Sequence, residues 1–305
     1  MYEMSIELNK TIMQIPKRNQ LQRYKKKTTY RKKTGSKHIY TENNLYLCSM
    51  ISKNKLKYIH SLEQKKNRHK EGIFIAEGIK IVNELLCAGF IPRCLIGTEL
   101  WFDSIQHKIS CETEKIIVSE DELRKASFLQ HPQQVMGLFS IPNHNDLLSD
   151  DYYRNNLCIV LDNVQDPGNL GTIIRIADWF GITTIICSRE TVDAYSPKVV
   201  QATMGSIARV RIIYTDLNSL LSSLPSDTPV YGTLLDGENI YSTALSENGL
   251  IIMGNEGNGI SASIRPLINR KLLIPPYPAE TNTAESLNVA IATAITVAEF
   301  RRRNG

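Results

Sequence analysis

From residue 157 onward the sequence repeats one pattern. A short Leu- or β-branched-rich run is followed by a turn bearing Gly, Asn, Asp or Ser, and then by an amphipathic stretch. Strand-like runs fall at residues 157–161, 183–187, 210–214, 230–235, 250–253 and 271–274, with helices in the gaps and a long final helix over 285–303. Few folds accept this alternation. Each helix returns the chain across the sheet, so successive strands run parallel and both sheet faces are covered. The expected class is α/β with a parallel sheet, and a ligand site belongs outside the carboxyl ends of its strands.

Three of the turns carry chemistry. DPGNLGTIIRIADWFG (166–181) offers Asn169 and Arg175, LIIMGNEGNGIS (250–261) offers Glu256, and LLIPPYPAETNTAESLNVA (272–290) offers Ser286 and Asn288. Asn169 stands where a helix cap is common. Arg175 is flanked by Ile173, Ile174, Ile176 and Ala177, and a guanidinium amid apolar neighbours needs a partner or a cleft. GNEGNG lacks the Lys-Ser/Thr of a nucleoside-triphosphate loop and the spacing of GxGxxG, but its glycines permit a tight turn and close approach of backbone to a ligand. Ser286 is a candidate cap for the final helix, and Asn288, a poor helix former, calls for a partner. In YSPKVVQATMGSIARV (195–210) small residues permit close packing, with Arg209 and Arg211 as candidate phosphate contacts.

Residues 50–142 form a smaller α/β unit. A basic amphipathic helix over 53–70 carries Leu56, Ile59 and Leu62 on one stripe, with Lys65 and Arg68 among the cations on its other face. Then follow the strand GIFIAEG, a helix over 79–88, a strand over 93–97, an apolar run at 115–118, a capped helix start at Ser119, and a strand over 135–141. The polar stretch 143–156 reads as a linker.

Charge is unevenly placed. Residues 1–49 hold 11 Lys/Arg against three acidic residues, a balance of +8; the other 256 hold 25 against 28, a balance of −3. The tail lacks apolar periodicity and is expected to be disordered. Three readings stay open for it: a phosphate-binding arm with interleaved tyrosines, a solvated extension, or sequence upstream of a natural start at Met50. The six cysteines form no CxxC or Cys/His metal spacing, so a reducing cytosol and no structural metal are expected, with Cys87, Cys158 and Cys187 as buried thiols. No apolar run reaches the roughly 18 residues of a membrane span.

Together N-x-G-x-x-x-R (Asn169, Gly171, Arg175), MGNEGNGI and IP…SLNVA resemble the three motifs of the SpoU (TrmH-type) RNA 2′-O-ribose methyltransferases of the SPOUT superfamily, over residues 157–303. Residues 50–142 resemble the ribosomal protein L30e-like substrate-binding domain that precedes it in many members. The resemblance implies a deep trefoil knot in domain 157–305 and a homodimer. It implies S-adenosylmethionine as cofactor, held by Leu235, Gly254, Asn255, Gly257, Ile274, Pro275 and Leu287, and no metal. It implies methyl transfer to a ribose 2′-OH, of rRNA more than tRNA, with Arg175, Asn169, Glu256, Ser286 and Asn288 catalytic and Lys65, Arg68 and Arg209 binding RNA. The sequence departs from the family at Pro276 and over 277–285. The alternative is a non-catalytic RNA-binding protein on the same scaffold; a nicotinamide enzyme lacks its Gly-rich fingerprint.

Overall fold

The computed structural model describes residues 37–41, 44–48, 51–105, 109–143, 148–278, 284 and 286–303. The reading of residues 1–36 as disordered lies outside the described residues. Within the tail, β1 (Lys37–Thr41) and β2 (Asn44–Cys48) pair antiparallel, Lys37 opposite Cys48, where no structure was expected. Ile39, Tyr40, Leu45, Tyr46 and Leu47 supply the β propensity that the surrounding cations mask in the sequence. The hairpin belongs to a unit of its own; residues 50–305 form the other.

In that second unit the expected helix over 53–70 is two helices, α1 (Lys53–Ser61) and α2 (Lys65–Glu71). Side chains of α2 take up the carbonyls left free at the break. Arg68 Nη1 donates to Leu62 O (2.8 Å) and Glu63 O (2.6 Å), and Asn67 Nδ2 donates to Ser61 O (2.7 Å). Then come β3 (Ile73–Glu77), α3 (Ile79–Cys87), β4 (Pro92–Gly97), α4 (Glu99–Ile105), β5 (Glu114–Ile117), α5 (Glu120–Ala126) and β6 (Val135–Ser140). Helix α4 was not foreseen; it buries Trp101, Phe102 and Ile105. The sheet order is β3-β6-β4-β5, with β6 antiparallel to both neighbours and β4 parallel to β5. Ser119 and Glu122 close a capping box on α5.

The expected linker is in part a helix, α6 (Asp150–Asn155). Tyr153 is buried in it, and the Tyr152 hydroxyl lies 2.7 Å from Thr184 Oγ1. The larger α/β unit then runs β7 (Leu157–Leu161), α7 (Pro167–Trp179), β8 (Thr184–Ser188), α8 (Pro197–Ala202), β9 (Arg211–Thr215), α9 (Leu217–Ser223), β10 (Val230–Asn239), β11 (Gly249–Met253), β12 (Arg270–Leu273) and α10 (Val289–Arg303). All six strands are parallel in the order β12-β10-β11-β7-β8-β9, as the alternation predicts. α7 lies close on α8 because Gly171 has no side chain: a Cβ there would stand 2.3 Å from that of Ala202. The two α/β units share one core, in which Phe74 and Leu85 join Tyr195 and Ile207. The expected knot involves residues 274–288, of which 279–283 and 285 lie outside the described residues.

Candidate active site

The site forms at the carboxyl ends of β7, β10, β11 and β12. After β7 the chain turns through Asn163, a non-glycine residue at φ 59°, into α7. Asp166 caps α7, accepting the Asn169 N–H at 2.8 Å, and Pro167 occupies the first turn. Asn169 is therefore not the cap, and its amide is free for other partners. Its Nδ2 donates to Glu256 Oε1 at 3.0 Å, and its Oδ1 accepts Asn288 Nδ2 at 2.9 Å.

Glu256 sits on the loop after β11. Besides Asn169 it receives the backbone N–H groups of Gln165 and Asp166 and the Asn255 amide, each at 3.4 Å. The loop is clasped by Asn255, whose N–H donates to Gly259 O (2.9 Å) and whose carbonyl accepts the Gly259 N–H (3.0 Å). Asn255 Nδ2 donates to Asn163 O at 2.7 Å, tying this loop to the β7 turn. Asn288 caps α10: its Oδ1 accepts the N–H groups of Ala290 (3.0 Å) and Ile291 (3.3 Å). The cap expected at Ser286 thus belongs two residues later, and the partner expected for Asn288 is Asn169.

Beside this amide–carboxylate chain lies a cavity of about 820 Å³ between the ends of β10, β11 and β12. Leu235, Gly254, Asn255, Glu256, Gly257, Ile274, Pro275, Ser286 and Leu287 all line it. Its size is that of a site for a nucleoside-sized ligand. Gly254 is essential to its shape, since a Cβ there would meet the Gly259 carbonyl carbon at 2.2 Å.

Residues 156–298 match the SpoU rRNA Methylase family, and residues 53–137 match an MRM3-like substrate binding domain. A Bacillus subtilis protein, the 23S rRNA (guanosine(2553)-2′-O)-methyltransferase RlmP, is 32% identical over 251 residues, covering 81% of this chain and 96% of that protein. The chain belongs to the SpoU rRNA methylase family. Among solved structures, a putative RNA methyltransferase of the TrmH family from Porphyromonas gingivalis superposes with TM-score 0.75 at 37% identity, covering 84% of this chain and all 100% of that one. An AdoMet-bound rRNA methyltransferase from Sinorhizobium meliloti gives TM-score 0.73 at 30% identity, covering 85% and 97%.

Against the SpoU motifs, the residues expected to act divide in two. Asn169, Glu256 and Asn288 meet through hydrogen bonds, and Ser286 joins the cavity wall. Arg175 does not join them. It is exposed on α7, six residues beyond Asn169, and among the described residues it forms no ion pair or hydrogen bond. The partner or cleft that its apolar neighbours called for is not found among the described residues.

The residues expected to bind RNA divide as well. Lys65 is exposed, its Nζ 5.7 Å from the centre of the Tyr214 ring. Arg68 is only 2% exposed and pairs with Asp193, so it cannot reach RNA; a lysine-rich helix disguised an inward-facing cation. Arg209 is gripped by Asp178 (2.8 Å) and Glu84 (2.5 Å), which leaves no free fork for a phosphate.

Three residues at the site were missed. Asp166 was legible as an Asp-Pro helix start. Tyr277, exposed at the cavity mouth, lies where the sequence departs from the family. Asp236, also on the cavity, accepts Arg265 Nη2 (2.9 Å) and Lys271 Nζ (2.8 Å), partners 29 and 35 residues away that no local pattern announces. One expected buried thiol, Cys87, is exposed, because it falls on the outer face of α3; Cys158 and Cys187 are buried.

Proposed function

We propose that the chain transfers a methyl group from S-adenosylmethionine to a ribose 2′-OH of ribosomal RNA. The observation that carries this is the hydrogen-bonded chain Glu256–Asn169–Asn288 alongside a cavity walled by the residues expected to hold the cofactor. When bound, the cofactor supplies an electrophilic methyl on its sulfonium. The ribose oxygen forms the new C–O bond as the S–CH₃ bond breaks, leaving the thioether, and the hydroxyl proton passes to water.

This chain's residues position and stabilise. Glu256 fixes which end of the Asn169 amide faces it, and Asn288 fixes the other, so the set is rigid before RNA arrives. Arg175 is exposed and unpaired within the described chain, as suits a guanidinium that grips the adjacent phosphate or the developing alkoxide. A guanidinium with pKa above ~12 is a poor base, which favours this role over proton abstraction.

A homodimer and the trefoil knot belong to the same proposal. Trp179, one turn beyond Arg175, is 85% exposed on α7, and Ile291 is exposed on neighbouring α10. Exposed apolar side chains on the helix that bears Arg175 and on its neighbour suit a second copy of the chain. The chain would then act in a reducing cytosol on RNA.

The test is transfer of labelled methyl from S-adenosylmethionine to an rRNA transcript, with nuclease digestion to locate 2′-O-methyl nucleotides. Binding of RNA without cofactor affinity at millimolar concentration would instead favour the non-catalytic reading. For the dimer, sedimentation of the wild type should give twice the 34.5 kDa chain mass and Trp179→Glu a monomer; a monomeric wild type refutes it.

A further inference from the structure

The substrate-binding domain is fastened to the catalytic half by a buried ion pair that reaches into the active-site loops. Arg68 on α2 donates from Nε (3.0 Å) and Nη2 (2.5 Å) to one oxygen of Asp193, which is itself 6% exposed and 125 residues away. The second Asp193 oxygen accepts the Tyr195 N–H at 3.0 Å, so this carboxylate also shapes the β8–α8 connection. Tyr195 packs at 5.1 Å on Phe74 of the substrate domain. Tyr214 holds the same connection from the other side, donating to Val192 O (2.5 Å) and accepting the Ala194 N–H (2.8 Å).

That connection is bonded directly to the turn after β7. The Val192 N–H donates to Val164 O (2.9 Å), the Asn163 N–H to Ser188 Oγ (3.0 Å), and Thr191 Oγ1 to Leu161 O (3.1 Å). The next residues of the same turn, Gln165 and Asp166, give their N–H groups to Glu256, and Asn163 O holds Asn255. Hydrogen bonds thus run from Arg68 to the carboxylate that orients Asn169.

We propose that Arg68 and Asp193 are positioning residues: their pair fixes the substrate domain against the catalytic loops and so sets which ribose of a large RNA reaches the site. This rests on the ribose-methyltransferase reading above. Replacing a buried ion pair by apolar groups is often tolerated by a fold, so a pair with a directional fork serves orientation at least as well as stability. Because Arg68 touches neither cavity nor RNA, its effect must pass through the domain register.

The experiment compares wild type with the double variant Arg68→Met/Asp193→Asn, in which the introduced amide keeps an acceptor for the Tyr195 N–H. Each is given an unmodified large-subunit rRNA transcript and a short hairpin around whichever nucleotide the wild type methylates. On the transcript, kcat/KM at that nucleotide should fall about 10- to 100-fold and product at neighbouring riboses should rise, since small misplacement is costly to a positioned reaction. On the hairpin, which does not span the substrate domain, the loss should be clearly smaller, and S-adenosylmethionine affinity should match. Unchanged efficiency and selectivity on the transcript overturn the proposal, as does an equal loss on the hairpin, which marks a merely structural role. If the wild type methylates no RNA, the enzyme reading fails instead. Hydrogen exchange on Arg68→Lys, which keeps charge but not the fork, reads the coupling without activity: the amides of Val192, Gln165 and Asp166 should exchange faster, and unchanged rates refute the link.

Discussion

Gly254 offers the sharpest test of the cavity. A Cβ added there would stand 2.2 Å from the Gly259 carbonyl carbon, 2.3 Å from Ile260 N and 2.6 Å from Gly259 O, all backbone atoms. Ordinary contact begins near 3.4 Å, so the loop has to retreat by about 1.2 Å (3.4 − 2.2). It cannot do so piecemeal, because Asn255 and Gly259 are joined by two backbone hydrogen bonds and Asn255 is tied to Asn163. Overpacking of this kind costs about 1–3 kcal/mol. Here the strain falls on a cavity wall, so the expectation for Gly254→Ala is an S-adenosylmethionine Kd raised about 5- to 150-fold. Gly257 is the control: it is in the same loop on the same cavity, but its added Cβ would meet nothing nearer than Asn255 Oδ1 at 3.7 Å. Gly257→Ala should bind cofactor within about 0.5 kcal/mol of wild type. Titration calorimetry on the three proteins, with thermal unfolding to check the fold, decides it. Equal affinity in all three, or an equal loss in both variants, refutes the reasoning.

Asn169→Asp should place two carboxylates 3.0 Å apart, costing kcat about 10²-fold with cofactor affinity kept; adding Glu256→Gln restores a donor facing an acceptor, and failure of that partial rescue in single-turnover assays counts against the amide chain. Arg175→Lys should keep cofactor binding and sharply reduce turnover, whereas wild-type rates would remove Arg175 from the mechanism. The Arg209 fork holds the Asp178 carboxyl below its usual range, so its contribution is fully present above the unfolded pKa of about 3.9 and is lost as pH falls through the depressed folded value. Asp178→Asn should therefore flatten the acid limb of stability, measured by urea unfolding against pH. Burial pushes the Cys94 and Cys158 thiols up to about 12 and raises that of Cys187, so iodoacetamide should label Cys87 and Cys111 in the native protein and these three only after denaturation.

Strands were legible where local composition decides them. The runs at 157–161 and 250–253 are continuous apolar stretches ending in Asp- or Gly-bearing turns, and they are β7 and most of β11. Side-chain direction was less legible, because it depends on distant groups. Arg68 reads as one more surface cation until Asp193 is brought beside it, and Arg209 reads as a phosphate contact until Glu84 and Asp178 close on it. Asn288 shows the middle case: its poor helix propensity announced a partner, but whether it or Ser286 caps α10 depends on where the chain leaves β12. Arg175 shows the limit, since among the described residues nothing in its own chain bonds it.

These paired arginines bear on the charge balance. The body of the chain carries −3, yet it belongs to a family that acts on a polyanion. On the catalytic half Arg209, Arg265, Lys271, Arg302 and Arg303 are held by carboxylates, while Arg175, Arg189, Lys198 and Arg270 are exposed and take part in no ion pair among the described residues. On the substrate domain Lys53, Lys57, Lys65, Lys66, Lys70 and Lys80 are exposed and take part in no ion pair among the described residues. The densest run of exposed, unpaired cations among the described residues thus lies around α1, α2 and the start of α3, where a phosphate backbone would be drawn most strongly. Helix α2 has two duties: Lys65, Lys66 and Lys70 face solvent while Arg68 faces Asp193. Lys65 and Lys70 are about 7.5 Å apart along the helix, at 1.5 Å per residue. If Arg68 and Asp193 position the substrate domain as proposed, a contact made to RNA on one side of so short an element would be transmitted to the catalytic loops on the other with little room for slack. For a weak nucleophile that must be presented in line, such stiffness would count beside surface charge, because small misplacement is costly.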